Sequence, residues 1–356
     1  MLQSWVRRIL RPFVLSRPIL AILRFVSPRI DLALRADLYW SAPAGERPVE
    51  KARELVEYAL MEARHEDKQR LHAWLEDWAE QCSSTIVYAE QSIFESQQRL
   101  ITRHKGGLKG LRLLELGPGH TVGPGLLLYA HGVEYYAAAD LFPLAARSSE
   151  MYRRLRRRLS RQISFLADPA LKPALAEILR RYDAAVDTTK PDAVFDASKI
   201  DWRCPVDAAK LPFPDASFDV IYSNAAFEHF MDPMAAAKEC ARVLAPGGVG
   251  LHQIDFRDHR DSSRPLDFLV FDDEEWRRMN ADMVCYTNRL RSHDFEEVFA
   301  ATGLSVDLVE PNLRRPVEPG IRDRLNPRFR DKPPEELEVL SAFFVVRKAA
   351  TLPCAG

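Results

Sequence analysis

The residues best equipped for chemistry in this sequence fall into two groups. In the first, Gly117 and Gly119 close the apolar run Leu113-Leu114-Glu115-Leu116 and lead into a second apolar stretch, Val122 to Tyr129, long enough for a helix. A glycine turn between a strand and a helix lets backbone approach a ligand with no Cβ in the way, and it aims unpaired N–H groups at that ligand. Asp140 ends the run Ala137-Ala138-Ala139, 21 residues after Gly119. At that distance a carboxylate can accept both hydroxyls of a ribose, a bidentate bond strengthened by the acceptor's charge. The second group is His229, His252, Asp255 and His259. These are general-base types, and His252 with Asp255 three residues on is expected to form a base and its orienting partner, with His259 four residues further. The same side chains suit a metal, but their spacings occur in many surface loops, and the sequence assigns none.

Positioning these groups requires alternating strands and helices. Strands are expected at about 111–116, 133–139, 218–223, 247–254, 304–310 and 342–348, with helices notably over 233–244 and 293–302. That alternation predicts an α/β fold with a mostly parallel sheet and helices on both faces. Ligands in such a sheet bind at the carboxyl ends of the strands, where Glu115, Gly117, Gly119 and Asp140 would lie. One connection is too long for a simple crossover. A basic insertion at about 144–205 carries Arg147, Arg153, Arg154, Arg156, Arg157, Arg158 and Arg161 over an apolar stripe of Met151, Leu155, Leu159 and Ile163. It reads either as a solvated helix face or as a basic lid favouring anionic partners.

The domain spanning 106–350 follows a helical N-terminal extension, residues 1–105, in which Ser83–Ser84 can cap a helix running to about Arg103. Its first 30 residues hold six arginines, no acidic residue, and apolar positions at helical spacing from Leu2 to Val14. Two readings stand: a helix packed on the domain or on a second subunit, giving an oligomer, or an interfacial helix on an anionic membrane surface. A net charge of −1 argues against general nucleic-acid binding. The five cysteines include no C-x-x-C pair, which fits a reducing, cytoplasmic setting.

Further motifs appear in order: Val206-Asp207-Ala208, then Leu211-Pro212-Phe213-Pro214-Asp215-Ala216-Ser217-Phe218-Asp219-Val220-Ile221-Tyr222-Ser223-Asn224, then Phe227-Glu228-His229, and then Arg242-Val243-Leu244-Ala245-Pro246-Gly247-Gly248. Over roughly residues 108–256 the chain resembles the class I S-adenosylmethionine-dependent methyltransferases, in the type-11-like branch. The resemblance implies a Rossmann-like, seven-stranded sheet and S-adenosyl-L-methionine as cofactor. It implies that Gly117 and Gly119 lie against the methionine part, Glu115 helps hold its ammonium, and Asp140 binds the ribose. Asp207 with Ala208 would sit at the adenine, Asn224 at the methionine end. Thr121 departs from the family's third glycine, a freedom that Gly123 is expected to supply. Val122 argues against the rival reading, a nicotinamide dehydrogenase, whose G-x-G-x-x-G loop needs glycine there.

The family's Glu-His pair after the fourth strand makes His229 either architectural or an acid–base group. The segment Arg257 to Arg291 also resembles a loop of methyltransferases from bacterial cell-surface glycan pathways, on His252 to His259 and Tyr286-Thr287-Asn288-Arg289-Leu290. That resemblance implies O-methylation of a sugar or glycolipid hydroxyl, with Tyr286, Asn288 and Arg289 contacting it. The expected acceptor is thus a small molecule or glycan. A methyltransferase fold serving as a non-catalytic partner is the alternative.

Overall fold

The computed structural model describes residues 83–165, 172–261, 263–280 and 286–350. The amphipathic start of the N-terminal extension, Leu2 to Val14, lies outside the described residues.

Seven strands form one sheet: β1 (Arg112–Leu116), β2 (Tyr135–Ala139), β3 (Ile200–Arg203), β4 (Phe218–Asn224), β5 (Leu244–Asp255), β6 (Leu304–Arg314) and β7 (Val339–Lys348). Their spatial order is β3-β2-β1-β4-β5-β7-β6. β7 runs antiparallel to both of its neighbours, while β3, β2, β1, β4 and β5 pair in parallel. The chain order therefore reverses between β1 and β4, which makes their carboxyl ends the ligand edge of the sheet.

The central strands are buried on both faces, so they read as continuous apolar runs rather than alternating ones. Leu114 and Leu116 of β1 and Ala137 and Ala139 of β2 face one side. They join one apolar cluster with Ala236 and Cys240 of α5 (Pro233–Val243) and Phe295 and Phe299 of α6 (Ser292–Ala300). The intervening residues Glu115 and Tyr136 face the other side, where α2 (Gly123–Ala130) packs so closely that a Cβ on Gly125 would fall 2.0 Å from Tyr136 Cζ. α1 (Ser83–Lys105) and α4 (Lys172–Ala185) lie against α2 on that face. α5 starts where Asp232 accepts a hydrogen bond from Ala235 N–H at 2.9 Å, with Pro233 opening the first turn. A second apolar cluster, including Leu269, Trp276, Phe329 and Leu337, holds the segments between β5 and β7 together.

The six strands expected from sequence are present. The seventh, β3, falls inside what reads as an insertion: Ile200-Asp201-Trp202-Arg203 is short, and only Ile200 is buried. An edge strand with one neighbour has no apolar run to betray it. The remainder of that segment contains α3 (Ser149–Phe165) and α4. On α3, Met151, Leu155 and Leu159 are buried as their spacing predicts. Its arginines are largely engaged within the protein: Glu150 takes Arg153, Arg154 and Arg157, and Asp183 takes Arg156. No helix among the described residues is long and apolar enough to cross a membrane.

Candidate functional site

At the carboxyl edge of β1 and β2 the site is built from backbone. Gly117 and Gly119 both adopt left-handed conformations, with φ of 66° and 64°. Gly117 N–H donates to Ala139 O at 2.9 Å, and a Cβ there would sit 2.9 Å from that of Ala226, beyond the end of β4. A Cβ on Gly119 would meet nothing within 4 Å, so this glycine faces open space. Gly119 N–H donates to Asp140 Oδ2 at 3.3 Å, while Phe142 N–H donates to Asp140 Oδ1 at 2.9 Å. Burial pushes the Asp140 carboxyl up to about 6, against these backbone bonds, which favour the anion. Val206 N–H donates to Asp140 O at 2.8 Å, bringing Asp207 and part-buried Ala208 to the same edge. Asp207 is exposed, and Oδ1 accepts from Ala209 N–H at 2.9 Å. Asn224 ends β4 partly buried, and Ala225 after it takes φ of 52°, an uncommon conformation for a residue with a Cβ.

Thr121 lies one residue ahead of the Val122 N-cap of α2, and its hydroxyl accepts from Gly123 N–H at 2.9 Å. Gly123 does not supply the expected left-handed freedom, since it opens α2 with no positive φ. Tight packing falls on Gly125 instead.

Glu115 differs from expectation. Its Oε2 accepts from Tyr222 Oη at 2.8 Å and from Tyr136 Oη, all three side chains being buried in the layer under α2. Burial pushes Glu115 up to about 7 despite both hydroxyls, and pushes the two tyrosines well above their ordinary range. The carboxylate thus ties β1, β2 and β4 together through the two tyrosine hydroxyls. Tyr136 and Tyr222 escaped the sequence reading because they look like ordinary aromatic strand residues.

The second group assembles at the carboxyl ends of β4 and β5. A single 3-10 turn, Phe227–His229, follows β4, and the segment 286–291 docks on it. Asn288 N–H donates to Glu228 O at 2.8 Å, and the Asn288 amide donates to Phe227 O at 2.7 Å and Phe230 O at 3.2 Å. His229 Nδ1 lies 2.8 Å from Tyr286 O, which assigns its proton to Nδ1 and its lone pair to Nε2. The His229 and His259 rings meet edge to face at 5.0 Å. His259 Nε2 is 3.8 Å from Asp255 Oδ2, and Arg257 bonds the same carboxylate. Glu228 is buried; its Oε1 accepts from Asp255 N–H at 3.2 Å, and its Oε2 has no hydrogen-bond partner.

The charges in this group are set by burial. It pushes Glu228 up to about 8 and His229 down to about 4, so at neutral pH the first holds a proton and the second is a neutral imidazole. Burial also opposes ionisation of Asp255, but His259 and Arg257 outweigh it and hold that carboxyl well below the usual range.

His229, Asp255 and His259 therefore come together, joined by Glu228. His252 does not: the expected His252–Asp255 pair is absent. His252 is fully buried in β5, with Nδ1 2.9 Å from Ser223 Oγ and its ring stacked on Phe299 at 5.3 Å. Burial pushes it down to about 3. Positions three apart on a strand face opposite sides, which is why proximity in sequence misled. Asn288 and Arg289 are likewise structural. Arg289 is buried, with its guanidinium on Phe268 O, Phe271 O and Asp273. The glycan-contacting roles implied for these two residues therefore lose their free donors.

The open face of Gly119, the adjacent Asp140 and the Asn224 loop fit an adenosyl ligand. Residues 171–251 match the family model described as a methyltransferase domain. Over that segment the chain is similar to the type-11 branch of class I S-adenosylmethionine-dependent methyltransferases, and the mostly parallel seven-stranded sheet is of the Rossmann-like kind the resemblance implies. Among curated relatives, the chain is 45% identical over 62 residues to a 2-methyl-6-phytyl-1,4-hydroquinone methyltransferase of Synechocystis sp., covering 17% of this chain and 19% of that one. It is 40% identical over 70 residues to a ubiquinone biosynthesis O-methyltransferase of Parvibaculum lavamentivorans, covering 19% and 27%. The match thus spans under a third of either relative's length. Among solved structures, an S-adenosylmethionine-dependent methyltransferase from Mesorhizobium loti is 18% identical, with 68% of this chain and 92% of that one covered and a TM-score of 0.36.

Proposed function

We propose that this protein transfers a methyl group from S-adenosylmethionine to an oxygen of a small-molecule acceptor. The observation carrying the reading is the Gly117–Gly119 turn bonded to Asp140 at the point where strand order reverses, with Gly119 facing open space. In this reading Gly117 and Gly119 flank the methionine part, Asp140 accepts from the ribose hydroxyls, Asp207 and Ala208 border the adenine, and Asn224 lines the methionine end. When bound, the sulfonium supplies an activated methyl carbon. The protein's task is to align the acceptor and exclude water.

A hydroxyl acceptor must lose its proton as the bond forms, which favours a base at the acceptor side. The neutral His229 imidazole suits that role, its Nδ1–H held by Tyr286 O and its Nε2 lone pair turned away from that bond. Asp255 nearby favours positive charge arriving there, while the adjacent His259 opposes it. The names of the relatives, a hydroquinone methyltransferase and a ubiquinone O-methyltransferase, are consistent with a hydroxyl-bearing acceptor. A glycan or glycolipid remains one class to assay. The anionic-membrane role of the N-terminal segment is tested by liposome retention of the full chain against one starting near Arg47; equal retention removes it.

Calorimetry with S-adenosylhomocysteine tests the pocket, and methyl-label transfer to phenolic, sugar and carboxylate acceptors tests turnover. Binding without transfer to any acceptor favours the non-catalytic alternative. Absence of binding ends the methyltransferase reading.

A further inference from the structure

We infer that Glu228, His229 and His259 form a binding site for one divalent transition-metal ion. One ligand atom from each of the three lies within 4.8 Å of the others. Two imidazoles and a carboxylate converging from different loops are the donor set that first-row transition ions favour over magnesium or calcium, and three protein ligands leave positions open for water or a hydroxyl.

Two further observations point to a ligand. Glu228 is 3% exposed, and its Oε2 has no hydrogen-bond partner, although a buried carboxylate oxygen normally has one. An ion beside it would supply the missing interaction. His229 is also prepared as a ligand: its Nδ1 is held by Tyr286 O at 2.8 Å, the outer-shell bond that fixes a metal-binding imidazole with Nε2 toward the ion. Asp255, 3.8 Å from His259 Nε2, gives that second imidazole a carboxylate neighbour. The His259 and Asp255 side chains are 13% and 10% exposed, while Glu228 Oε2 and His259 Nε2 themselves are shielded from solvent.

Ligand atoms around a bound ion stand about 3–3.5 Å apart, given metal–ligand bonds near 2.1 Å. The cluster therefore contracts by about an ångström on binding. His259 lies on the loop beyond β5, where such a shift is absorbed most easily. If the methyl-transfer reading holds, an ion here meets the acceptor oxygen in place of His229 Nε2, and the site becomes a Lewis-acid centre.

The probe is Co(II), whose visible absorption reports coordination. Full-length protein stripped with EDTA is titrated with Co(II), alongside Glu228→Gln and His259→Ala. One equivalent is expected to bind the natural sequence with new visible bands, and each variant is expected to weaken binding at least tenfold. S-adenosylhomocysteine binding is measured on all three as the control for folding. No binding, or equal binding by all three folded proteins, overturns the inference. A variant that loses S-adenosylhomocysteine binding as well is replaced by His229→Gln, held to the same tenfold criterion. Metal binding without S-adenosylhomocysteine binding supports this site while removing the methyltransferase reading; the reverse removes only the metal site.

Discussion

The two ends of the site are built on different principles. At β1 and β2, backbone forms the surface: two left-handed glycines, N–H groups at 2.9 and 3.3 Å, and one carboxylate they orient. At β4 and β5, side chains form it: Glu228, His229, Asp255 and His259 meet through long-range bonds and owe their charge states to burial. The first arrangement suits a fixed ligand whose shape does not vary. The second can be altered residue by residue without disturbing the sheet, which is where variation in acceptor can enter. The contrast predicts that binding and turnover separate cleanly by region.

The sharpest break would come at the side-chain end. His229→Ala is expected to lower kcat by roughly 100- to 10,000-fold while S-adenosylhomocysteine affinity changes little. A loss of cofactor binding instead would merge the two regions into one. His252→Leu serves as its counterpart: the structure makes that residue core, so kcat should hold while the melting temperature shifts.

At the backbone end, Asp140→Ala should weaken cofactor binding about 100-fold in a folded protein, since a charged, bidentate pair is lost. Ribose hydroxyls need the ionised carboxylate. Because burial raises Asp140 to about 6, affinity in the unaltered protein should fall as pH drops below that value. Calorimetry from pH 5 to 8 reads it; affinity flat across that range would mean the ribose lies elsewhere.

Stability sharpens the comparison further. Gly125→Ala drives a Cβ into the Tyr136 ring and should cost about 1–3 kcal/mol by denaturant unfolding. Gly119→Ala meets open space but carries positive φ; its cost is backbone strain, and it should reduce cofactor binding where Gly125→Ala chiefly reduces stability.

The smallest effect concerns Glu228. Its carboxyl, ordinarily near 4.5, rises to about 8 on folding, so the folded state binds the extra proton between those values. The associated stability is complete below 4.5 and is lost as pH rises through about 8. The metal-free protein should therefore melt lower at pH 8.5 than at 6.5, and Glu228→Gln should melt roughly 2–4 °C higher than the unaltered protein at pH 8.5. An unchanged melting temperature there would show that the carboxyl is not held neutral by burial.

Much of the backbone end was legible beforehand because its signals are local. Gly117, Gly119 and Asp140 follow apolar runs that can only be strands, and those strands occur within a few residues of where they were expected. The side-chain end was half legible. The residue types point to His229, Asp255 and His259, but nothing local marks Glu228 as a site residue, and spacing alone pairs His252 with Asp255 although the strand turns His252 into the core. β3 escaped because four mostly part-exposed residues at a sheet edge carry no pattern distinguishable from a loop.

By itself, then, the order of apolar runs, glycines and acids determined an α/β sheet and the edge at which a ligand sits, since strand periodicity and left-handed turns are properties of a few adjacent residues. Tertiary structure alone decided who faces whom. It turned Glu115 toward two tyrosines, sent His252 into the core, and brought His229 to Tyr286 across 57 residues. Such pairings depend on which side of a strand a residue faces and on how distant loops pack, and burial then fixes the charge each group carries.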